Sequence, residues 1–302
     1  MNPGGEEPGE ARAELDKPMV SPPRGFRYID IHTHLHPEWL CRAIRRWFAE
    51  RSNWKLEYPT DPEVVAAFLR ERDVERFVFF SYAHKRGIAR EINAWLRATA
   101  RRLPGGIPLG TLHPDDPDML EVADQALDDF GFRGFKFHIN VQRFYPDDPR
   151  VLPVYERLLA RDRFLLIHVG SAPWPNEFDG FPRFARVMEM FPALKVVVAH
   201  MGSFETRQFF VLMERCPSLY LDTTMAFAPF RPEHQGLSRL NMIDVSNDDL
   251  IRWQDRVLFG SDFPNLPYAY EDERDALWMR ALPMPVYRKI FHDNAARLLG
   301  IS

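Results

Sequence analysis

The chain is short of the features that would take it out of the ordinary globular class. Only two of its 302 residues are cysteines, Cys41 and Cys216, with neither paired spacing nor a CxxC. That excludes a disulfide framework and a thiolate zinc site, and it suits a reducing, cytoplasmic setting. Long apolar runs are also missing: stretches such as 164–167 and 196–199 fall far below the ~20 residues needed to cross a bilayer. Positive charge is not in excess. Thirty-nine Lys and Arg stand against 43 Asp and Glu, a formal charge of −4, so no net field draws the chain to nucleic acid or to an anionic membrane. Residues 1–24 are rich in Pro, Gly and acid and contain no apolar core. They are expected to form a disordered tail rather than a signal peptide or a packed element.

From residue 28 onward, short strand-like runs alternate with helix-like stretches. The strands are expected over 28–34, 76–81, 107–113, 132–138, 164–168, 195–200, 219–223 and 257–262. Between them lie amphipathic segments such as 62–73, 89–103, 118–130 and 151–162, with apolar residues every three or four positions. Repeated strand-then-helix units indicate a parallel sheet, and eight of them without a Pro/Gly-rich linker predict one α/β domain over 25–302, a (β/α)8 TIM barrel. An extra helix is expected near 38–50, after the first strand, and the acidic run 271–275 reads as the solvated first turn of a helix.

The informative residues are the polar groups that end apolar runs. The run YIDIHTHLH carries His32 and His34, FLLIHVG carries His168, KVVVAHMG carries His200 and RVLFGSDFP carries Asp262. Parallel strands of one barrel bring those ends to a single rim, and positions two apart on a strand share a side. Imidazole nitrogens with one carboxylate on stiff strands suit a borderline-soft divalent ion such as zinc, with manganese as the other candidate. His36 lies past its strand, before Pro37, and reads as a loop residue. His84 and His113 are weaker rim candidates, and His234 and His292 are read as surface residues.

In order and context these motifs, with the terminal FHDNAARLLG, resemble the amidohydrolase superfamily. The resemblance is to its amidohydrolase-2 branch, the aminocarboxymuconate-semialdehyde decarboxylase-like hydrolases and decarboxylases, and it spans about residues 28–300. It implies one divalent ion held by His32, His34, His168 and Asp262, with His200 beside it as an acid/base group. Such an ion lowers the pKa of its water to about 7 and polarises a carbonyl. Asp262 is then expected to move the proton, and His200 to orient the water or stabilise the developing oxyanion. The expected activity is hydrolysis of a small carbonyl substrate, an amide, lactone or cyclic ester. The alternative is non-oxidative decarboxylation of an unsaturated or aromatic acid, with a two-metal phosphoesterase or a non-catalytic binding barrel further behind.

Lys136 and His138 share one side of the fourth strand. In other branches a lysine there, modified to a carbamate, bridges two metals. The amidohydrolase-2 resemblance implies a mononuclear site instead, with Lys136 paired to a rim acid and His138 free to contact substrate. Arg143, Trp174 and Arg231 complete the substrate-binding candidates, and Tyr82, Trp39, Thr223, Phe227, Phe230 and Asn265 are further possible linings. The partners expected are a small-molecule substrate and, compatibly, a second copy of the chain.

Overall fold

The structure, a computed structural model, describes residues 21–52, 54–228 and 243–301. Most of the expected tail lies outside the described residues, as do Phe230, Arg231 and His234. Eight parallel strands run in chain order: β1 Tyr28–His34, β2 Val74–Phe80, β3 Gly106–Pro108, β4 Gly134–His138, β5 Phe164–His168, β6 Lys195–Val198, β7 Leu219–Asp222 and β8 Val257–Leu258. They pair as β1-β2-β3 and as β4-β5-β6-β7-β8.

Backbone bonds cross both seams between the two groups. Gly110 bridges Phe135, with Gly110 N donating to Gly134 O and Lys136 N to Gly110 O. Thr33 bridges Phe263, with Ile31 N donating to Phe259 O and Asp262 N to His32 O. The arrangement is the (β/α)8 barrel expected from the alternation. Strands β3, β6 and β8 stop earlier than their apolar runs suggest, because the chain past them turns to build the rim.

Helices pack outside. The post-β1 helix α1 spans Glu38–Arg51, close to expectation. Helix α2, Pro62–Arg70, starts where Asp61 accepts from Val64 N and Pro62 supplies a preset first turn. Its buried face is Val65, Ala66 and Leu69, the three- and four-residue spacing of an amphipathic helix. The helix Tyr270–Trp278 corrects one expectation. It begins at the acidic run, but Glu273 is only 1% exposed and accepts a hydrogen bond from the Tyr268 hydroxyl at 2.7 Å. Burial pushes its carboxyl well above the usual range. Sequence alone did not distinguish this acid from its solvated neighbours.

Asp30 ties the site-bearing seam together. It is fully buried on β1 and accepts from His32 N, from the backbone N and hydroxyl of Ser261, and from the Tyr270 hydroxyl. One carboxylate thus joins the backbone of His32 to the residue preceding Asp262. Gly260 makes the approach possible, since a Cβ there would lie 2.8 Å from the His32 Cβ and 2.5 Å from Thr224 Oγ1. Among the described residues no helix is long and apolar enough to cross a membrane.

Candidate metal centre

The strand ends meet around a cavity of ≈ 550 Å³ that reaches from the barrel mouth to α1. Its floor carries His32, His34, Lys136, His168, His200 and Asp262. One ligand atom each from His32, His34 and Asp262 lie within 4.8 Å of one another. Asp262 Oδ1 is 3.1 Å from His32 Nε2 and 2.9 Å from His34 Nε2. Tetrahedral ligands ~2.0–2.2 Å from a zinc ion stand ~3.3–3.6 Å apart, so the donors are spaced almost as a shared cation would hold them.

The tautomers make the same point. His32 Nδ1 donates to Asp222 Oδ2 at 2.8 Å. Burial, and then the Lys136 charge, hold the His32 ring well below its ordinary pKa, so it is neutral and its Nε2 carries a lone pair. A lone pair facing a carboxylate oxygen at 3.1 Å cannot be a hydrogen bond. A cation held by both would turn that repulsion into attraction. Asp222 fixes the His32 ring from behind, and its other oxygen accepts from His200 N at 2.8 Å and from Thr224 N at 3.2 Å.

His168 sits apart from the close trio. Its Nε2 donates to Ala172 O at 3.0 Å, its ring stacks on His138 at 4.1 Å, and its free basic nitrogen is Nδ1. Burial, and then Lys136, pull its pKa down to about 3. His200 Nδ1 donates to Thr224 O at 3.1 Å, leaving Nε2 as an acceptor; burial, then His168 and His32, keep this ring neutral as well. His200 and Asp262 also have left-handed backbones, with φ of 58° and 72°. For residues other than glycine such conformations cost of order 1–3 kcal/mol and persist where the surroundings dictate them.

Lys136 departs from its expected pairing. It is fully buried, yet it makes no ion pair with a carboxylate among the described residues. Its ammonium lies 3.4 Å from His32 Nε2 and 4.7 Å from the centre of the Phe80 ring. Burial lowers its pKa to about 8.

The remaining candidates divide. His138, Arg143, Trp174, Tyr82, His84 and Asn265 line the cavity. Trp39, Thr223, Phe227 and His113 do not line it. His36 is buried behind it and shares a 2.8 Å hydrogen bond with the Ser81 hydroxyl. His292 pairs with Asp293, away from the site. Sequence reasoning missed Asp222, although YLDTT shows the very signal used elsewhere, a polar residue ending an apolar strand. It also missed Trp47, Phe48 and Trp54, whose helical and loop context gives no hint that they face a cavity.

The amidohydrolase family profile matches residues 29–301. The chain belongs to the amidohydrolase family. Membership makes it a metal-dependent enzyme of the hydrolase or decarboxylase class, and the fold agrees. An uncharacterised TIM-barrel protein of Bordetella bronchiseptica superposes with a TM-score of 0.68 at 18% identity, over 91% of this chain and 99% of that one. The 5-carboxyvanillate decarboxylase of Novosphingobium aromaticivorans, solved with manganese and 4-hydroxy-3-methoxy-5-nitrobenzoic acid, gives 0.67 at 17% identity over 93% and 98%. A 4-oxalomesaconate hydratase of Rhodopseudomonas palustris gives 0.61 at 18% identity over 90% and 95%.

Proposed function

We propose that this amidohydrolase hydrolyses a small carbonyl substrate, an amide, lactone or cyclic ester, with a single divalent ion, zinc or manganese. His32, His34 and Asp262 would hold the ion, and His168 would complete the set through Nδ1. The observation that carries this reading is the convergence of two imidazole nitrogens on one Asp262 oxygen, one of them with its lone pair toward the carboxylate. When bound, such an ion supplies Lewis acidity and lowers the pKa of water from 15.7 to about 7.

The protein's own groups do the rest. Asp262 Oδ1 faces the cavity among the two histidines and is placed to take the proton of the attacking water and return it to the leaving group. His200, neutral with Nδ1–H committed to Thr224 O, offers only an acceptor at Nε2. That supports its use in orienting water and disfavours its use as an oxyanion donor. The Lys136 ammonium, without a carboxylate partner, is the donor on this floor able to meet developing negative charge. His138, Trp174 and Arg143 are proposed as substrate contacts, together with Arg231 from the segment outside the described residues.

Decarboxylation of an unsaturated or aromatic acid is the second reading. Arg143 favours it, because the residue lines the cavity with no ion pair among the described residues, its guanidinium 5.4 Å from the centre of the Phe178 ring. A guanidinium so placed can take a carboxylate through two parallel bonds. Elemental analysis of the purified chain, paired with His168→Ala, tests the proposal. The expected result is one equivalent of metal per chain, with metal and turnover lost together in the variant. Full turnover after metal stripping would overturn it, two equivalents would point to the Lys136-bridged site, and carbon dioxide among the products would select the second reading.

A further inference from the structure

The cavity has two chemically different ends. The floor holds the titratable groups described above, whereas the far wall is aromatic and comes from two segments distant in sequence. Trp47 and Phe48 lie on α1, Trp54 follows that helix, and Trp174 stands on the loop after β5; all four line the cavity. Trp174 is the keystone. Its ring centre lies 5.7 Å from that of Trp47, 5.3 Å from Trp54 and 6.1 Å from Phe48, and its carbonyl accepts from Asn140 Nδ2 at 2.8 Å. The same loop supplies the Ala172 carbonyl that fixes His168. Trp47 remains 40% exposed, an unusual cost for so large an apolar ring.

A substrate of only a few heavy atoms, reacting at the floor, would leave most of ≈ 550 Å³ to water lying against indole faces. We propose that the substrate carries a flat aryl or fused-ring body, joined by a short spacer to the reacting carbonyl. This body docks on the Trp47–Trp54–Trp174 wall while the carbonyl reaches Asp262 and His200. Trp174 is the specificity-determining residue, because it touches the other members of the wall and its backbone carbonyl is held by Asn140, two residues on from the Ala172 carbonyl that fixes His168. The proposal rests on the metal-dependent reading for its floor, but the wall can be tested apart from it.

The test compares two probes on the full-length, metal-loaded protein by calorimetry and by quenching of tryptophan emission. Acetohydroxamate carries a metal-binding head alone, and 2-naphthylacetohydroxamate carries the same head with an aromatic body. The naphthyl probe is expected to bind roughly 30-fold more tightly, as burial of its ring predicts. Trp174→Ala is expected to cut that advantage to about 5-fold or less, and Trp174→Phe to restore most of it. Trp47→Ala, at a partly exposed position that tolerates truncation, should reduce the advantage in the same direction. Equal affinity for the two probes, or an advantage that survives both alanine variants, overturns the proposal. If chelation leaves acetohydroxamate binding unchanged, the metal-dependent reading fails instead. The wall is then judged on 2-naphthylacetate against acetate, with the same variants and the same outcomes.

Discussion

The two sides of the cavity floor solve different problems. The β7–β8–β1 side is rich in carboxylates, with Asp30, Asp222 and Asp262 bracketing His32 and His34. The β4–β6 side has none at its strand ends: Lys136, His138, His168 and His200 face the cavity, and the ring nitrogens of His168 and His200 are fixed by backbone carbonyls. A carboxylate behind an imidazole raises its basicity and aims its lone pair, which suits cation binding. A carbonyl behind an imidazole fixes the tautomer without adding charge, which leaves His168 a neutral nitrogen for the proposed ion and His200 a neutral proton acceptor. His32 and His200, both of depressed basicity, thus differ in what stands behind them, a carboxylate for one and a carbonyl for the other.

Four variants or conditions would break or sharpen that contrast. Asp262→Ala should have the largest effect, removing both bound metal and turnover, a drop of at least ~10³-fold read by elemental analysis and steady-state kinetics. Metal retained at full stoichiometry would place the cation elsewhere. His200→Asn, whose side chain tolerates the left-handed backbone, should keep its metal and lose ~10²–10⁴ in kcat. Metal loss in that variant would make His200 a ligand rather than an acid/base group. Asp222→Asn should weaken metal affinity ~10–100-fold in a chelator competition, with the folded far-ultraviolet spectrum intact. An unchanged affinity would reduce Asp222 to a purely structural group.

The smallest effect is on stability against pH in the metal-free protein. His168, with its folded pKa pulled to about 3, binds its proton more readily when unfolded. Its contribution is therefore fully present above pH 6.5 and is lost as pH falls toward about 3, at about 1.4 kcal/mol per pH unit. His32, His34, His138 and His200 act in the same direction. Asp30, raised to about 7 by burial, opposes them, since its contribution is lost as pH rises from 3.8 toward about 7. Urea midpoints at successive pH values should fall on acidification, and His168→Asn should flatten that slope. A slope identical to the parent's would show that His168 takes up its proton as readily in the folded chain as in the unfolded one.

Much of this was legible in the chain. Periodicity alone predicted the eight strands and the post-β1 helix, because the two-residue and 3.6-residue repeats are local properties of the backbone. The residues ending the apolar runs predicted the floor, and His32, His34, His168, His200 and Asp262 all reach it. The shortfall lay in pairings. Lys136 was expected beside an acid and instead faces an imidazole and a phenyl ring, and Glu273 was expected in solvent and is buried.

The order of residues along the chain therefore determined which groups arrive at the barrel mouth, since strand direction and side-chain alternation are set within a few residues of each one. Only the tertiary structure decided what each group does there. The partner behind His32 comes from residue 222, that behind His200 from residue 224, and the aromatic wall from two segments more than a hundred residues apart. A tautomer, a pKa and a cavity wall are properties of neighbours in space, and no local pattern encodes them.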